Sequence, residues 1–199
     1  MRKLFPLLAA ALLALPLGAA APQRQVIEVK PPVPVEGTNK IEVIEFFWYG
    51  CIHCYNLEPA LESWLKTLPN DVEFRRVPAV FNERWGLDAS IYYAMEALGL
   101  VDKLHRPLFD AIHKNRLRTD NQQAFSEWLT QQGVDAKKFI ETVQSFGVRS
   151  KTRRAVQLTV AYKVDGTPAM AVHGRYTVPA QANVFQVVDS LVDRVRKEK

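Results

Sequence analysis

The apolar positions of this chain keep two different rhythms, and the change of rhythm divides it. Residues 41–48 are almost continuously apolar, as in a strand buried on both faces. From 55 to 65 the apolar residues Leu57, Leu61, Trp64 and Leu65 recur at helical spacing, and the helix is expected to run to about Thr67. Pro69-Asn70-Asp71 marks a turn, and 72–77 reads as the next strand.

Between 85 and 162 the period is helical throughout. The spacing predicts helices over 88–98 and 101–113. Asp120 is expected to cap a helix holding Phe125, Trp128 and Leu129 that Gly133 ends. Asp135 is expected to cap another, holding Phe139, Ile140 and Val143 and ending near Gly147. A last helix is predicted from Arg149 to about Tyr162. Strands return at 169–172 and 175–178 around His173-Gly174, a two-residue hairpin loop. Val184, Val187, Val188, Leu191, Val192 and Val195 then line one side of a final helix. The Pro-rich stretch 21–40 holds a short edge strand at 26–29. The expected fold is α/β: β-α-β, an inserted all-helical subdomain, then β-β-α. The expected divisions are 1–20, 21–84, 85–162 and 163–199.

Residues 1–20 stand apart. Met1-Arg2-Lys3, an apolar run from Leu4 to Leu17 and then Gly18-Ala19-Ala20 make a cleavable secretory signal peptide, with the cut expected after Ala20. The run is shorter than the roughly 20 apolar residues of a spanning helix, and Pro6 and Pro16 interrupt it. A soluble exported protein is therefore expected. Of the formal charge of +5, Arg2 and Lys3 supply two, leaving +3 on the mature chain. That mild balance, with basic residues spread out apart from 149–154 and the tail, argues against nucleic-acid binding.

The chemistry lies in two cysteines, Cys51 and Cys54, separated by Ile52-His53. They fall where the strand meets the helix, with Cys51 at the helix N-terminus. Unpaired backbone N–H groups and the helix dipole favour a thiolate there. A zinc site needs further ligands, and the remaining histidines, His105, His113 and His173, are isolated in sequence. Covalent haem attachment needs His after the second cysteine, where Tyr55 stands. As a structural staple the four-residue loop gives about 2 kcal/mol at best, little for a domain with 48% hydrophobic residues. A redox-active dithiol fits better. A substrate thiolate attacks the sulfur of Cys51, the more exposed of the pair, and a second substrate thiol resolves the mixed disulfide. His53 is expected to add an imidazolium charge or an N–H donor to the Cys51 thiolate, favouring oxidation.

The stretch 43–55, Val-Ile-Glu-Phe-Phe-Trp-Tyr-Gly-Cys-Ile-His-Cys-Tyr, resembles the active-site segment of the DsbA family of periplasmic thiol:disulfide oxidoreductases. Gly166-Thr167-Pro168-Ala169-Met170 is similar to that family's cis-proline loop, and the order of elements matches over nearly all of the mature chain. The resemblance implies a thioredoxin fold and a strong oxidant with no cofactor beyond the Cys51–Cys54 disulfide and no metal. It implies a cis Pro168 facing the disulfide, with Thr167 backbone groups pairing to an extended substrate. It implies that Glu45 is a partly buried acid beneath the site and a proton acceptor for Cys54; Arg76 on the next strand is a candidate partner for it. Ile52, Thr167 and Pro168 are the expected substrate contacts. The implied partners are reduced exported proteins and a membrane oxidase of the DsbB type linked to quinone, with the protein itself a monomer in the periplasm.

One position departs from the pattern. Ile52 stands where the family usually has proline, which is preorganised for a first helical turn. An isomerase or reductase of the same fold is the alternative, although about 20 residues between the signal and the first core strand leave no room for a dimerisation domain. A peptide-binding chaperone with an incidental dithiol is the reading from another class.

Overall fold

The computed structural model describes residues 25–36 and 39–198. The expected signal peptide lies outside the described residues. The elements are β1 (Ile27–Glu28), β2 (Ile41–Phe47), α1 (Ile52–Leu65), β3 (Val72–Pro78), α2 (Glu83–Ala97), α3 (Val101–His113), α4 (Gln122–Gln131), α5 (Ala136–Val143), α6 (Phe146–Ala161), β4 (Ala169–Val172), β5 (Tyr176–Pro179) and α7 (Val184–Lys197). They form one five-stranded sheet in the order β1-β5-β4-β2-β3. β2 pairs in parallel with β3 and antiparallel with β4, so it is central.

Every residue of β2 is buried, which is why its sequence shows no alternation. Its side chains still sort by the period of two. Ile41 and Val43 join a core with α1 and α7, through Leu61, Trp64, Val188, Leu191 and Val192. Ile44 and Phe46 join the larger core that the helical block covers, with Leu104, Phe109 and Leu158. Each fully buried side chain of this kind contributes about 1.5–3 kcal/mol relative to exposure. The strand's two carboxylates are compensated from β3: Arg75 Nε lies 2.7 Å from Glu42, and Arg76 Nε lies 3.1 Å from Glu45.

Several boundaries differ from the sequence reading, each for a local reason. The helix predicted over 88–98 starts five residues earlier, because the Asn82 side chain accepts from Trp85 N–H at 3.2 Å and caps α2. Asn121, not Asp120, caps α4; Asp120 pairs with Arg118 instead. Gly147 does not end a helix. Ser145 accepts from Val148 N–H and starts α6 with Gly147 in its first turn. β1 is two residues long and pairs only with β5. In the β4–β5 turn His173 and Gly174 take φ of 48° and 71°, and Arg175 N–H donates to Val172 O at 3.0 Å. Arg175 therefore stays in the connection and β5 begins at Tyr176. A Cβ on Gly174 would meet Val33 O at 2.0 Å, so the glycine is required by close approach as well as by φ.

Candidate active site

β2 ends at Phe47, and four residues, Trp48 to Cys51, turn the chain into α1. Cys51 N–H donates to Trp48 O at 2.9 Å, closing that turn. Gly50 is needed there because a Cβ would fall 2.4 Å from the Trp48 ring. Trp48 is fixed in turn: its Nε1–H donates to Asp88 at 2.8 Å, and its ring stacks on Trp85 at 4.1 Å. Asp88 is buried and also accepts from Thr119 and Arg84.

Cys51 is the N-cap of α1, and its sulfur accepts from Cys54 N–H at 3.4 Å. Both cysteines are free; Cys51 is half-buried and Cys54 fully buried. Their thiols move in opposite directions. The Cys54 thiol donates to Cys51 and, with the Thr167 side chain and the backbone N–H groups of Cys54 and His53, lowers Cys51 to about 5 against the opposing effect of burial. Burial drives Cys54 far above the ordinary thiol range, and its hydrogen bond to Cys51 adds to this. One sulfur is thus a thiolate at neutral pH and the other a thiol.

The loop before β4 closes over the pair. Cys51 Sγ lies 3.3 Å from Thr167 O, and the Thr167–Pro168 peptide is cis. Beside them runs a groove of about 560 Å³, lined among others by His53, Leu57, Asp165, Thr167, Pro168 and Gln181. His53 is exposed, and its backbone N–H helps to lower the Cys51 thiol. Ile52 is 47% exposed, an apolar side chain presented next to the reactive sulfur.

Beneath the dithiol lies a buried polar chain. Glu45 is completely enclosed, not partly buried, and its Oε1 has no hydrogen-bond partner. Its Oε2 accepts from Arg76, whose Nη2 also donates to Glu58 at 3.2 Å. One guanidinium compensates one carboxylate. Burial and the nearby Glu58 charge outweigh Arg76 at Glu45 and push it up to about 8. At Glu58 burial is outweighed by the His105 hydrogen bond and the Arg76 charge, which hold it below the usual carboxylate range. Burial pushes His105 down, so its neutral ring donates Nε2–H to Glu58 at 3.4 Å while Nδ1 accepts from Tyr49 at 2.8 Å. At neutral pH Glu45 is therefore the member of the pair that keeps a proton.

Helix α3 grips the same junction. His113 Nε2–H donates to Tyr49 O at 2.8 Å, Tyr55 Oη–H donates to Asp110 at 2.7 Å, and Arg106 donates to Tyr55 O at 3.4 Å. The sequence reading missed Glu58, His105 and His113. Glu58 left one signal: it interrupts the buried stripe Cys54, Leu61 and Trp64 at helical spacing. The two histidines left none, because only the packing of α3 on the junction brings them there. Among the described residues, no group of three or more His, Cys, Asp or Glu is arranged to hold a metal ion.

The model of the DSBA-like thioredoxin domain matches residues 77–192. A thiol:disulfide interchange protein DsbA from Bordetella parapertussis is 43% identical over 201 residues, covering 96% of this chain and 96% of that protein. An alignment of that extent takes in residues 51–54. The protein of the same name from Azotobacter vinelandii is 39% identical over 178 residues, with 87% and 83% covered. The crystal structure of Pseudomonas aeruginosa DsbA superposes with a TM-score of 0.82 at 35% identity, covering 87% of this chain and 93% of that one.

Proposed function

The chain belongs to the DSBA-like thioredoxin family of thiol:disulfide oxidoreductases, and we propose that it oxidises substrate dithiols through a disulfide held between Cys51 and Cys54. The observation that carries this assignment of residues is the opposed pair of sulfurs: Cys51 half-exposed with its thiol lowered to about 5, Cys54 buried with its thiol raised.

In the first step a substrate thiolate attacks Cys51 Sγ. The Cys51–Cys54 bond breaks, a mixed disulfide forms, and the Cys54 sulfur leaves with the electron pair. A buried thiolate there is costly, so it takes a proton, and protonated Glu45 is the donor. In the second step another substrate thiolate attacks the substrate sulfur of the mixed disulfide. Cys51 leaves as a thiolate that its helix N-terminus stabilises, and the substrate leaves oxidised by two electrons. Of the two substrate protons, one replenishes Glu45 and the other enters solvent. In reoxidation Glu45 first releases its proton to solvent, and its carboxylate then takes the proton from Cys54. Thr167 and Pro168 form the face over which an extended substrate lies, with Ile52 offering it an apolar contact.

The wider reading follows the family. Residues 1–20 direct export and are removed. Residues 21–84 and 163–199 make up the thioredoxin-like part, and 85–162 the helical insertion. The protein works as a monomer in the periplasm on reduced exported proteins, and a quinone-linked membrane oxidase of the DsbB type restores its disulfide. It uses no cofactor beyond the cysteine pair.

The test is to replace Cys54→Ala and mix the variant with reduced exported proteins under native conditions. Mixed disulfides through Cys51 are expected to accumulate; their absence would count against exchange chemistry at this site. A glutathione redox titration of the wild-type pair separates a disulfide donor from a reductase.

A further inference from the structure

The groove beside the dithiol carries an electrostatic signature that the reaction itself does not use. Its lining holds two titratable side chains, His53 and Asp165. Asp165 lies in the loop between α6 and β4, is exposed, and among the described residues has no ion-pair or hydrogen-bond partner. Asp165 is two residues before Thr167, whose carbonyl oxygen lies 3.3 Å from Cys51 Sγ. An extended chain advances about 3.3 Å per residue. A substrate laid along the loop with its cysteine at Cys51 thus brings a residue within about two positions of that cysteine alongside Asp165.

We infer that Asp165 makes this groove selective for reduced substrates carrying a lysine or arginine within about two residues of the reacting cysteine. The inference rests on the reading of Cys51 and Cys54 as the exchanging pair. The carboxylate is solvated and unpaired in the free protein, so a substrate cation meets it without displacing an internal partner. The groove's remaining lining is neutral apart from His53, so no fixed cation on the lining cancels the carboxylate. Because the pair forms in solvent, the discrimination is modest and falls with salt. An exposed pair of this kind corresponds to about two- to fivefold in kcat/KM for each favourable contact.

The test uses the oxidised full chain and synthetic peptides with two cysteines that differ only in Lys, Gln or Glu beside the first cysteine. At low ionic strength the wild-type protein is expected to oxidise the Lys peptide about two- to fivefold faster than the Gln peptide, and the Glu peptide more slowly still. Asp165→Asn should bring the Lys-to-Glu ratio toward one, and Asp165→Lys should invert it, whatever their absolute rates. Raising the salt should compress the wild-type ratio. Equal ratios in wild type and Asp165→Lys, or a preference insensitive to salt, would overturn the inference while leaving the exchange mechanism standing. Failure of the oxidised wild-type chain to oxidise dithiothreitol would overturn both.

Discussion

The depressed thiol of Cys51 ties redox state to stability in a way that pH exposes. Lowering the thiol from 9.0 to about 5 means that the folded reduced protein binds the thiolate form more favourably than the unfolded chain does. For a depressed group the stabilisation is complete above the unfolded value and is lost as pH falls through the folded value. The window is therefore pH 9 down to pH 5. Unscreened, the shift amounts to about 2.7 kcal/mol at pH 7. Because Cys51 is only half-buried, solvent screening reduces this to roughly 1–1.5 kcal/mol. The oxidised protein has no thiolate and lacks the contribution. Glu45 titrates in the same range with the opposite sign: raised to about 8, it stabilises the fold below its unfolded value and loses that contribution as pH rises through 8. Burial, the largest cause of that shift, is common to both redox states and cancels on subtraction; the Cys51 charge, a lesser cause, is confined to the reduced state. Cys54, raised above the ordinary thiol value, enters only above pH 9. Urea unfolding of the reduced and oxidised proteins at several pH values should thus give a difference that favours the reduced form and grows by roughly 2 kcal/mol between pH 5 and pH 8. A difference that stays flat across that range, or shrinks as pH rises, would refute the placement of the thiolate at Cys51.

Two further outcomes follow from the geometry. Glu45→Gln should remove an inflection near pH 8 from the rate of substrate oxidation and slow the step by about a hundredfold, the low end for a lost general acid; stopped-flow rates across pH would check this, and an unchanged profile would take Glu45 out of the proton path. Gly174→Ala combines a positive φ with a Cβ driven onto Val33 O and should cost about 2–5 kcal/mol by urea unfolding, whereas Gly99→Ala, with a similar φ but open space around it, should cost about 1–2 kcal/mol.

Local patterning carried most of the elements into view, because β2, α1 and α3 bury their stripes in the ordinary way and the caps at Asp135 and Cys51 lie where the chemistry of side chain and backbone puts them. The misjudged ends all lie at small polar caps. Asn121 stands beside Asp120, which is equally able to serve, and the three-dimensional path selects between them; Asn82 and Ser145 start their helices ahead of the first clear apolar repeat. At the site, Cys51, Cys54 and the Thr167–Pro168 loop were legible as motifs. The pairing of Glu45 with Arg76 was legible as a charge on each of two neighbouring strands, set side by side by their register. What the sequence hid is long-range: His105 and His113 reach Tyr49, next to the dithiol turn, from α3, 56 and 64 residues away along the chain, and nothing in their own neighbourhood marks them.

Those contacts from α3 have a consequence for how the molecule could be taken apart. His113 on Tyr49, Asp110 on Tyr55 and Arg106 on the Tyr55 carbonyl splint both sides of the turn that presents Cys51. The insertion is thus a separate segment in the chain order but not a detachable module. A graft that moved the strand, the two cysteines and α1 onto a bare scaffold would leave the joint unbraced. Amide exchange at residues 51–55 should accordingly rise and fall with the opening of α3, so that a reporter placed in the insertion reads the state of the reactive turn.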